Sequence, residues 1–157
     1  GRRIVANIVA LAKKYPKSVV FLENYDMTIG SMLVRGTDVW LNNPRRPQEA
    51  SGTSGMKAAM NGVPNLSILD GWWPEACDHG VNGWQIGDGY ENKDEKKLDA
   101  HDQKALYKVL LGEVLPTYYE NKKKWVDIMK QSVLTTHKQF AVKRMLSEYY
   151  EQLYTQY

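Results

Sequence analysis

Apolar residues at the start of the chain follow a helical spacing, and a short apolar run comes next. Across residues 3–15 the apolar positions recur every three or four residues, and Pro16 then stops the pattern. This spacing predicts a helix. Residues 18–22 are apolar, β-branched in part and uncharged, which is typical of a parallel strand buried on both faces.

Helix and strand patterns then alternate up to residue 86. Helical spacing predicts helices at residues 27–34 and 51–61. Short apolar runs predict strands at residues 38–41, 64–69 and 82–86, the last being a short edge strand. Strands that alternate with helices are typical of parallel sheets joined by crossover helices. We therefore predict an α/β fold with a doubly wound, mostly parallel, Rossmann-like sheet.

The rest of the chain changes from a charged segment to a helical one. Residues 87–99 are charged and contain glycine, so a surface loop is predicted there. From His101 onward the apolar positions return to helical spacing. We predict a Rossmann-like segment at residues 1–95 and a C-terminal helical cap on the sheet at residues 96–157, both within one domain fragment.

Composition narrows the class of protein. The chain has 157 residues, of which 43% are hydrophobic and 25% charged, as in one soluble globular domain. The net charge of +3 comes from interspersed charges, including a solvated lysine run at residues 122–124, so nucleic acid is not an expected partner. A single cysteine, Cys77, and no long apolar run favour a cytoplasmic protein without membrane contact. The chain opens Gly-Arg-Arg without an initiator methionine, so we interpret residue 1 as a truncation point.

The segment from Glu49 to Lys57, Glu-Ala-Ser-Gly-Thr-Ser-Gly-Met-Lys, lies between a predicted strand and a predicted helix. In open α/β sheets, ligands bind outside the carboxyl ends of strands, where loops meet helix N-termini. Glycines let the backbone approach a ligand, and the free N–H groups of a first helical turn attract an anion. The sequence therefore predicts a phosphate-binding site in this segment.

Lys57 lies about one turn inside the predicted helix. Its amine is close enough to form an imine with an aldehyde whose phosphate binds the helix N-terminus. Apolar surroundings, which favour the neutral nucleophilic amine, are expected from the neighbours Met56, Ala59, Met60 and Val63. The alternative is an ordinary solvated lysine. Glu49 likewise is either a surface carboxylate or an acceptor for sugar hydroxyls.

The motif and its flanks carry a resemblance to a known family. Residues 49–57, with residues 21–25 upstream, resemble the pyridoxal phosphate site of the α-glucan (glycogen or maltodextrin) phosphorylases. Residues 45–47, 70–75 and 82–84 are similar to the shorter bacterial and archaeal members. The resemblance spans essentially the whole chain and implies the C-terminal portion of a two-domain GT-B glycosyltransferase fold.

The resemblance implies a role for each matched residue. Lys57 matches the catalytic lysine in imine linkage to pyridoxal phosphate. Thr53 and Ser54 match positions whose backbone N–H groups bind the cofactor phosphate, and Tyr25 matches a tyrosine packed near the cofactor ring. The matches to residues that hydrogen-bond the glucosyl unit are Glu49, Ala50, Ser51 and Gly52. Asp26 departs from the animal enzymes, which have arginine there, and is given no role.

The resemblance also implies an activity. In this family the phosphate of the cofactor exchanges a proton with inorganic phosphate, and a terminal glucosyl unit of an α-1,4-glucan is transferred to phosphate. The product is glucose 1-phosphate with retained configuration. The family's basic phosphate-binding segment and its N-terminal domain have no match in these 157 residues, so the chain alone is expected to be inactive. No metal is expected, and a homo-oligomer stays open.

Two alternatives from other classes remain. A sugar-nucleotide glycosyltransferase such as a glycogen synthase shares the architecture but does not need Lys57. A non-catalytic carbohydrate-binding module would use Trp72 and Trp73, although packing is the simpler role for this pair. Three histidines far from the motif are interpreted as ordinary surface or partly buried residues, and these are His79, His101 and His137.

Overall fold

The computed structural model describes residues 1–155. The chain divides into two compact units, one formed by residues 1–31 and a larger one that begins at Met32. The last two residues of the predicted helical cap, Gln156 and Tyr157, lie outside the described residues. Within residues 1–155, no helix is both long enough and apolar enough to cross a membrane.

The first unit contains helix α1, Arg2–Lys14, which confirms the first predicted helix. Residues 18–22 do not form a strand, so that prediction is wrong. A strand buried on both faces needs packed neighbours on each side, whereas Val20 is 74% exposed. None of residues 1–31, all of which the structure describes, is buried. The apolar side of α1 therefore stays accessible to solvent in this chain.

The second unit is built on a three-stranded parallel sheet in the order β1-β2-β3. The strands are β1 Trp40–Asn42, β2 Asn65–Ile68 and β3 Gly83–Ile86. Their positions confirm the other three predicted strands and the parallel α/β class. Helix α2, Met27–Gly36, precedes β1 and ends in this unit, and helix α3, Thr53–Met60, is the crossover between β1 and β2. Both helices confirm the sequence pattern.

Helices occupy most of the chain after β2. They are α4 Trp73–Ala76, α5 Glu95–Val109, a π-helix Leu110–Val114, α6 Leu115–Glu120, α7 Lys122–Gln139, α8 Val142–Tyr149 and a π-helix Tyr150–Tyr154. The loop predicted at residues 87–99 is too long, because helix α5 already begins at Glu95. The carboxylate of Asp94 accepts hydrogen bonds from the backbone N–H groups of Lys96 and Lys97 and so caps the helix. The division of the chain into a Rossmann-like segment, residues 1–95, and a helical cap, residues 96–157, stays a prediction.

The main core lies on one face of the sheet. In parallel strands, residues paired across the register share a face, and Leu66 pairs with Trp84 as Ile68 pairs with Ile86. These four side chains pack against residues from the helices, namely Val109, Val114, Trp125 and Ile128. The rings of Trp84 and Trp125 stack with centroids 5.7 Å apart. The helical region from α5 to α7 thus covers this face of the sheet.

A second cluster packs against α3. Its buried members are Ala59, Trp72, Trp73 and Ala76, and Phe140 packs onto them. Phe140 contacts the ring of Trp72 edge-on, with centroids 5.1 Å apart. Because Trp72 and Trp73 are both buried, the expectation that this pair serves packing is confirmed. The single thiol, Cys77, is half-buried beside the same cluster.

Replacing Ile128 tests the main core. Ile128 is 2% exposed and Leu134, on the same helix α7, is 58% exposed. Ile128→Ala should lower the free energy of unfolding by about 2–5 kcal/mol, because it leaves a cavity. Leu134→Ala should change it by less than about 0.5 kcal/mol. Urea denaturation followed by tryptophan fluorescence measures both, and equal effects would contradict the burial of Ile128.

The thiol of Cys77 gives a prediction for high pH. Burial, with a smaller contribution from the charge of Asp78, raises the pKa of Cys77 from 9.0 to about 12. The unfolded thiol ionises near pH 9 while the folded thiol stays protonated, so the free energy of unfolding should fall as pH rises from 9 towards 12. Cys77→Ser should remove this part of the pH dependence. A thiol reagent that reacts equally fast with folded and urea-unfolded chain at neutral pH would refute the shift.

Candidate functional site

Helix α3 begins with backbone N–H groups that have no acceptor. Gly52 is its N-cap and adopts a left-handed conformation with φ 85° and ψ 40°, a region that glycine enters without strain. No side chain caps the helix. Gly55 and Met56 donate their N–H groups to the Gly52 carbonyl, but those of Thr53 and Ser54 find no acceptor within residues 1–155. This helix end is therefore open to an anion.

Thr53, Ser54 and Lys57 share the exposed face of α3. Residues three and four apart lie on one side of a helix, and both Thr53 and Ser54 stand in that relation to Lys57. The opposite side consists of Gly55, Ala58 and Ala59, which are buried. Lys57 lies roughly 5–6 Å further along the helix axis than the free N–H groups, from the rise of 1.5 Å per residue.

Lys57 is exposed in this chain and is not enclosed by its expected apolar neighbours. Ala59 and Val63 belong to the core clusters, whereas Lys57 and Met60 are exposed. The expectation counted neighbours along the sequence, but helical geometry turns Ala58 and Ala59 inward and Lys57 outward. Lys57 thus has a solvent-accessible amine on the same face as the free N–H groups.

The loop of residues 49–52 lies against the segment that follows β2. The backbone N–H of Glu49 donates to the carboxylate of Asp70 at 2.9 Å, and Trp72 donates its N–H to the Ser51 carbonyl at 2.8 Å. Gly71 also donates its N–H to Asp70 at 2.9 Å. Two different points of the loop are therefore held just after the central strand, one by the Asp70 side chain and one by the Trp72 backbone.

Two glycines permit this close approach. Gly71 has φ 58°, and a Cβ there would lie 2.6 Å from the Ser51 carbonyl oxygen and 2.9 Å from Cγ of Glu49. At Gly52 a Cβ would lie 3.0 Å from the ring of Trp72. Glu49 is half-buried, while Ala50 and Ser51 are exposed. The loop thus offers its outer side to solvent and its inner side to the end of the strand.

Arginine side chains outside the predicted site fix the chain just before the loop. Arg46 donates to the Leu69 carbonyl at 2.6 Å and to Glu91 at 2.7 Å. Arg45 donates to Glu95 and to Asp99, and its hydrogen bonds lower the pKa of the Asp99 carboxyl and raise the pKa of Arg45. These pairs are exposed, so each contributes little stability. The sequence shows Arg-Arg-Pro beside the motif, but only the fold shows their partners.

The two residues of the first unit that the sequence singled out lie next to each other. Tyr25 is exposed, and its hydroxyl rests against Gly30, where a Cβ would be 2.7 Å away. Asp26, which had no assigned role, accepts the N–H of Ile29 at 2.8 Å in the first turn of α2. It therefore acts as a helix cap. The role of Tyr25 beside a cofactor ring stays a prediction.

None of the three histidines forms a hydrogen bond or ion pair with a predicted site residue within residues 1–155, although His137 lines a cleft with Met60, the last residue of α3. His79 pairs with Glu113, and His101 with Asp102. A cleft of about 640 Å³ lies at the carboxyl ends of all three strands, between the sheet and α5, and it is lined by none of the predicted site residues. Within the part of the chain that the structure describes, no group of three or more acidic, histidine or cysteine side chains is suited to hold a metal. The predicted site is an open face.

Comparisons with known proteins find similarity over a region that includes the motif at residues 49–57. A family model described as carbohydrate phosphorylase matches residues 4–108. The chain is 47% identical to a maltodextrin phosphorylase of Thermococcus litoralis over 147 residues, which cover 94% of the chain and 18% of that relative. It is 43% identical to a glycogen phosphorylase of Aquifex aeolicus over 162 residues, covering 99% of the chain and 23% of that relative.

A glycogen phosphorylase of Mycobacterium tuberculosis is 40% identical over 161 residues, which cover 98% of the chain and 18% of that protein. The chain thus spans about a fifth of the length of the curated relatives it matches. The family match extends over both units and includes the entire segment from Glu49 to Lys57. The chain therefore belongs to the carbohydrate phosphorylase family.

Proposed function

We propose that this chain is the C-terminal, cofactor-carrying part of an α-glucan phosphorylase. The intact enzyme transfers a terminal glucosyl unit of an α-1,4-glucan to inorganic phosphate and releases glucose 1-phosphate. The observation that carries the proposal is the uncapped N-terminus of α3, with the amine of Lys57 on the same exposed face. The names of the relatives, maltodextrin and glycogen phosphorylases, support the substrate class.

The donor set of α3 fits pyridoxal phosphate. A phosphate at this helix end would receive the N–H groups of Thr53 and Ser54, which have no acceptor within the described chain, and the positive end of the helix dipole. Lys57 would supply a primary amine, one turn further along, for covalent attachment of the same molecule. Tyr25 would pack near the cofactor ring. We propose Lys57 as the covalent attachment point.

The residues of the loop would bind the sugar. Glu49 has a carboxylate that accepts hydrogen bonds from sugar hydroxyls, and charged acceptors form the stronger bonds of this kind. The exposed backbone of Ala50, Ser51 and Gly52 adds further polar groups beside it. When bound, the cofactor supplies a phosphate that exchanges a proton with the substrate phosphate. The loop then orients the glucosyl unit for transfer.

Lys57 is exposed in this chain, so the intact enzyme needs other residues to shield it from water. A site open to water weakens electrostatic contacts and exposes a covalent lysine linkage to hydrolysis. We propose that other parts of the phosphorylase, including its N-terminal domain, cover this face and supply the groups that bind substrate phosphate. We propose that the enzyme is cytoplasmic, because the single cysteine of this chain forms no disulfide that would need an oxidising compartment.

No observation favours the alternatives from other classes. The burial of Trp72 and Trp73 removes the pair that would have supported a carbohydrate-binding module. The match to the carbohydrate phosphorylase family favours phosphorolysis over transfer from a sugar nucleotide.

Borohydride reduction of the holoenzyme tests the attachment point. Reduction followed by peptide mapping should place the pyridoxyl label on Lys57, because its amine shares a face with the free N–H groups. Lys57→Arg should abolish the label, whereas Lys104→Arg, another exposed lysine, should leave it unchanged. A label on a different lysine would refute the assignment.

Substitution of Glu49 tests the sugar contact. Glu49→Gln should lower kcat/KM for glucan phosphorolysis by roughly 100-fold, about 3 kcal/mol, because a charged acceptor in a closed site binds hydroxyls more strongly than an amide does. The matched control is Glu75→Gln, an exposed glutamate on α4, which should keep the wild-type value. Unchanged kinetics in Glu49→Gln would return Glu49 to the role of a surface carboxylate.

A further inference from the structure

Asp70 is a buried carboxylate held by backbone N–H groups. It follows β2 by two residues and is 8% exposed. Its Oδ2 accepts the N–H of Glu49 and its Oδ1 accepts the N–H of Gly71, each at 2.9 Å. In the part of the chain that the structure describes, no basic side chain forms an ion pair with it. A buried carboxylate without a cation depends on such hydrogen bonds.

The bond to Glu49 joins two distant parts of the chain. Glu49 and Asp70 are 21 residues apart, and α3 and β2 lie between them. The Trp72 N–H holds the Ser51 carbonyl two residues further along the loop. Asp70 and Trp72 therefore fix the loop of residues 49–52 to the segment that follows the central strand.

The contact is tight enough to specify the loop's position. A Cβ on Gly71 would lie 2.6 Å from the Ser51 carbonyl oxygen and 2.9 Å from Cγ of Glu49. Cγ of Glu49 would also lie 3.7 Å from a Cβ at Gly52. The first carbons of the Glu49 side chain thus pack over two glycines, and this packing directs the carboxylate that follows them.

Helix α3 is held by different contacts. Ala58 and Ala59 are buried in the core, and the side-chain amide of Asn65 donates to the Gly55 carbonyl at 3.0 Å. None of these contacts involves Asp70. Loss of the Asp70 hydrogen bonds would therefore act first on Glu49, at the start of the loop, while the N-cap residue Gly52 keeps its hydrogen bonds to α3.

We propose that Asp70 is a positioning residue that sets the glucosyl-binding loop, residues 49–52, through the backbone of Glu49. This role rests on the proposed function of that loop. In this role Asp70 acts without touching the sugar or the cofactor, by fixing where the Glu49 carboxylate points. The support of Glu49 by Asp70 and the support of α3 by the core are thus different contacts that meet at Gly52.

The test uses Asp70→Asn in the intact, cofactor-loaded phosphorylase that carries this chain. An amide has the same shape but only one acceptor oxygen, so one of the two N–H groups would face an NH₂ donor. We expect kcat/KM for phosphorolysis of maltodextrin to fall about 10-fold or more, with the cofactor content and its absorbance spectrum unchanged. Asp78→Asn, the same change at an exposed aspartate, should match the wild type in both measurements.

A second variant perturbs the same contact from the other side. Gly71→Ala places a methyl group against the Ser51 carbonyl and should give the same split, with lower kcat/KM and a full complement of cofactor. Unchanged kcat/KM in either variant overturns the positioning role. Loss of cofactor or of the folded state in step with activity also overturns it, because Asp70 would then support the whole structure. A wild-type enzyme without cofactor or phosphorolysis would instead refute the proposed function.

Discussion

Strand β2 is buried along its entire length. The packing of the second unit depends on which residues cover the two faces of this strand. Leu66 and Ile68 point into the core formed with the helices of the cap. Asn65 and Ser67 alternate with them, so they face the other side, where the amide of Asn65 bonds to the backbone of α3. A polar residue at this depth needs a close backbone partner. The buried Asn65 of β2 therefore requires α3 to pack close to the sheet.

That approach also determines which residues α3 presents outward. A Cβ at Gly55 would lie 2.6 Å from Oδ1 of Asn65, so the position has room only for glycine. With Gly55, Ala58 and Ala59 turned towards the sheet, helical geometry leaves Thr53, Ser54 and Lys57 on the opposite face. The uncapped end of α3 and the lysine are thus brought together by the packing of small residues. A larger side chain on the inner face would shift both.

The sequence pattern predicted the elements whose burial follows from local spacing. Helices α1 to α3 and strands β1 to β3 all appear near the expected positions, because each has one periodic apolar face or one apolar run. Residues 18–22 also form an apolar run, but they are largely exposed and form no strand. The strand prediction failed there because an apolar run becomes a buried strand only where other elements pack against it. The contacts of Asp70 and Arg46 could not be predicted either, because they join residues 21 to 45 positions apart. The site roles came from a family resemblance, and the fold explains only why Thr53, Ser54 and Lys57 share one face of α3.

The geometry of the site separates two tasks that the proposed reaction combines. The phosphate of a cofactor would depend on α3, which is fixed by core packing, and the sugar would depend on the loop, which is fixed by hydrogen bonds to Asp70 and Trp72. Different substitutions disrupt these two supports. Truncating a core side chain leaves a cavity, whereas removing a hydrogen-bond partner in the loop leaves a polar group unpaired. Substitutions of Glu49 or Asp70 would therefore act first on the loop, and substitutions of Ala58 or Ala59 first on the helix, with Gly52 common to both. Both supports belong to one strand and its continuation, with Asn65 at the start of β2 and Asp70 two residues beyond its end, so β2 sets the spacing between helix and loop.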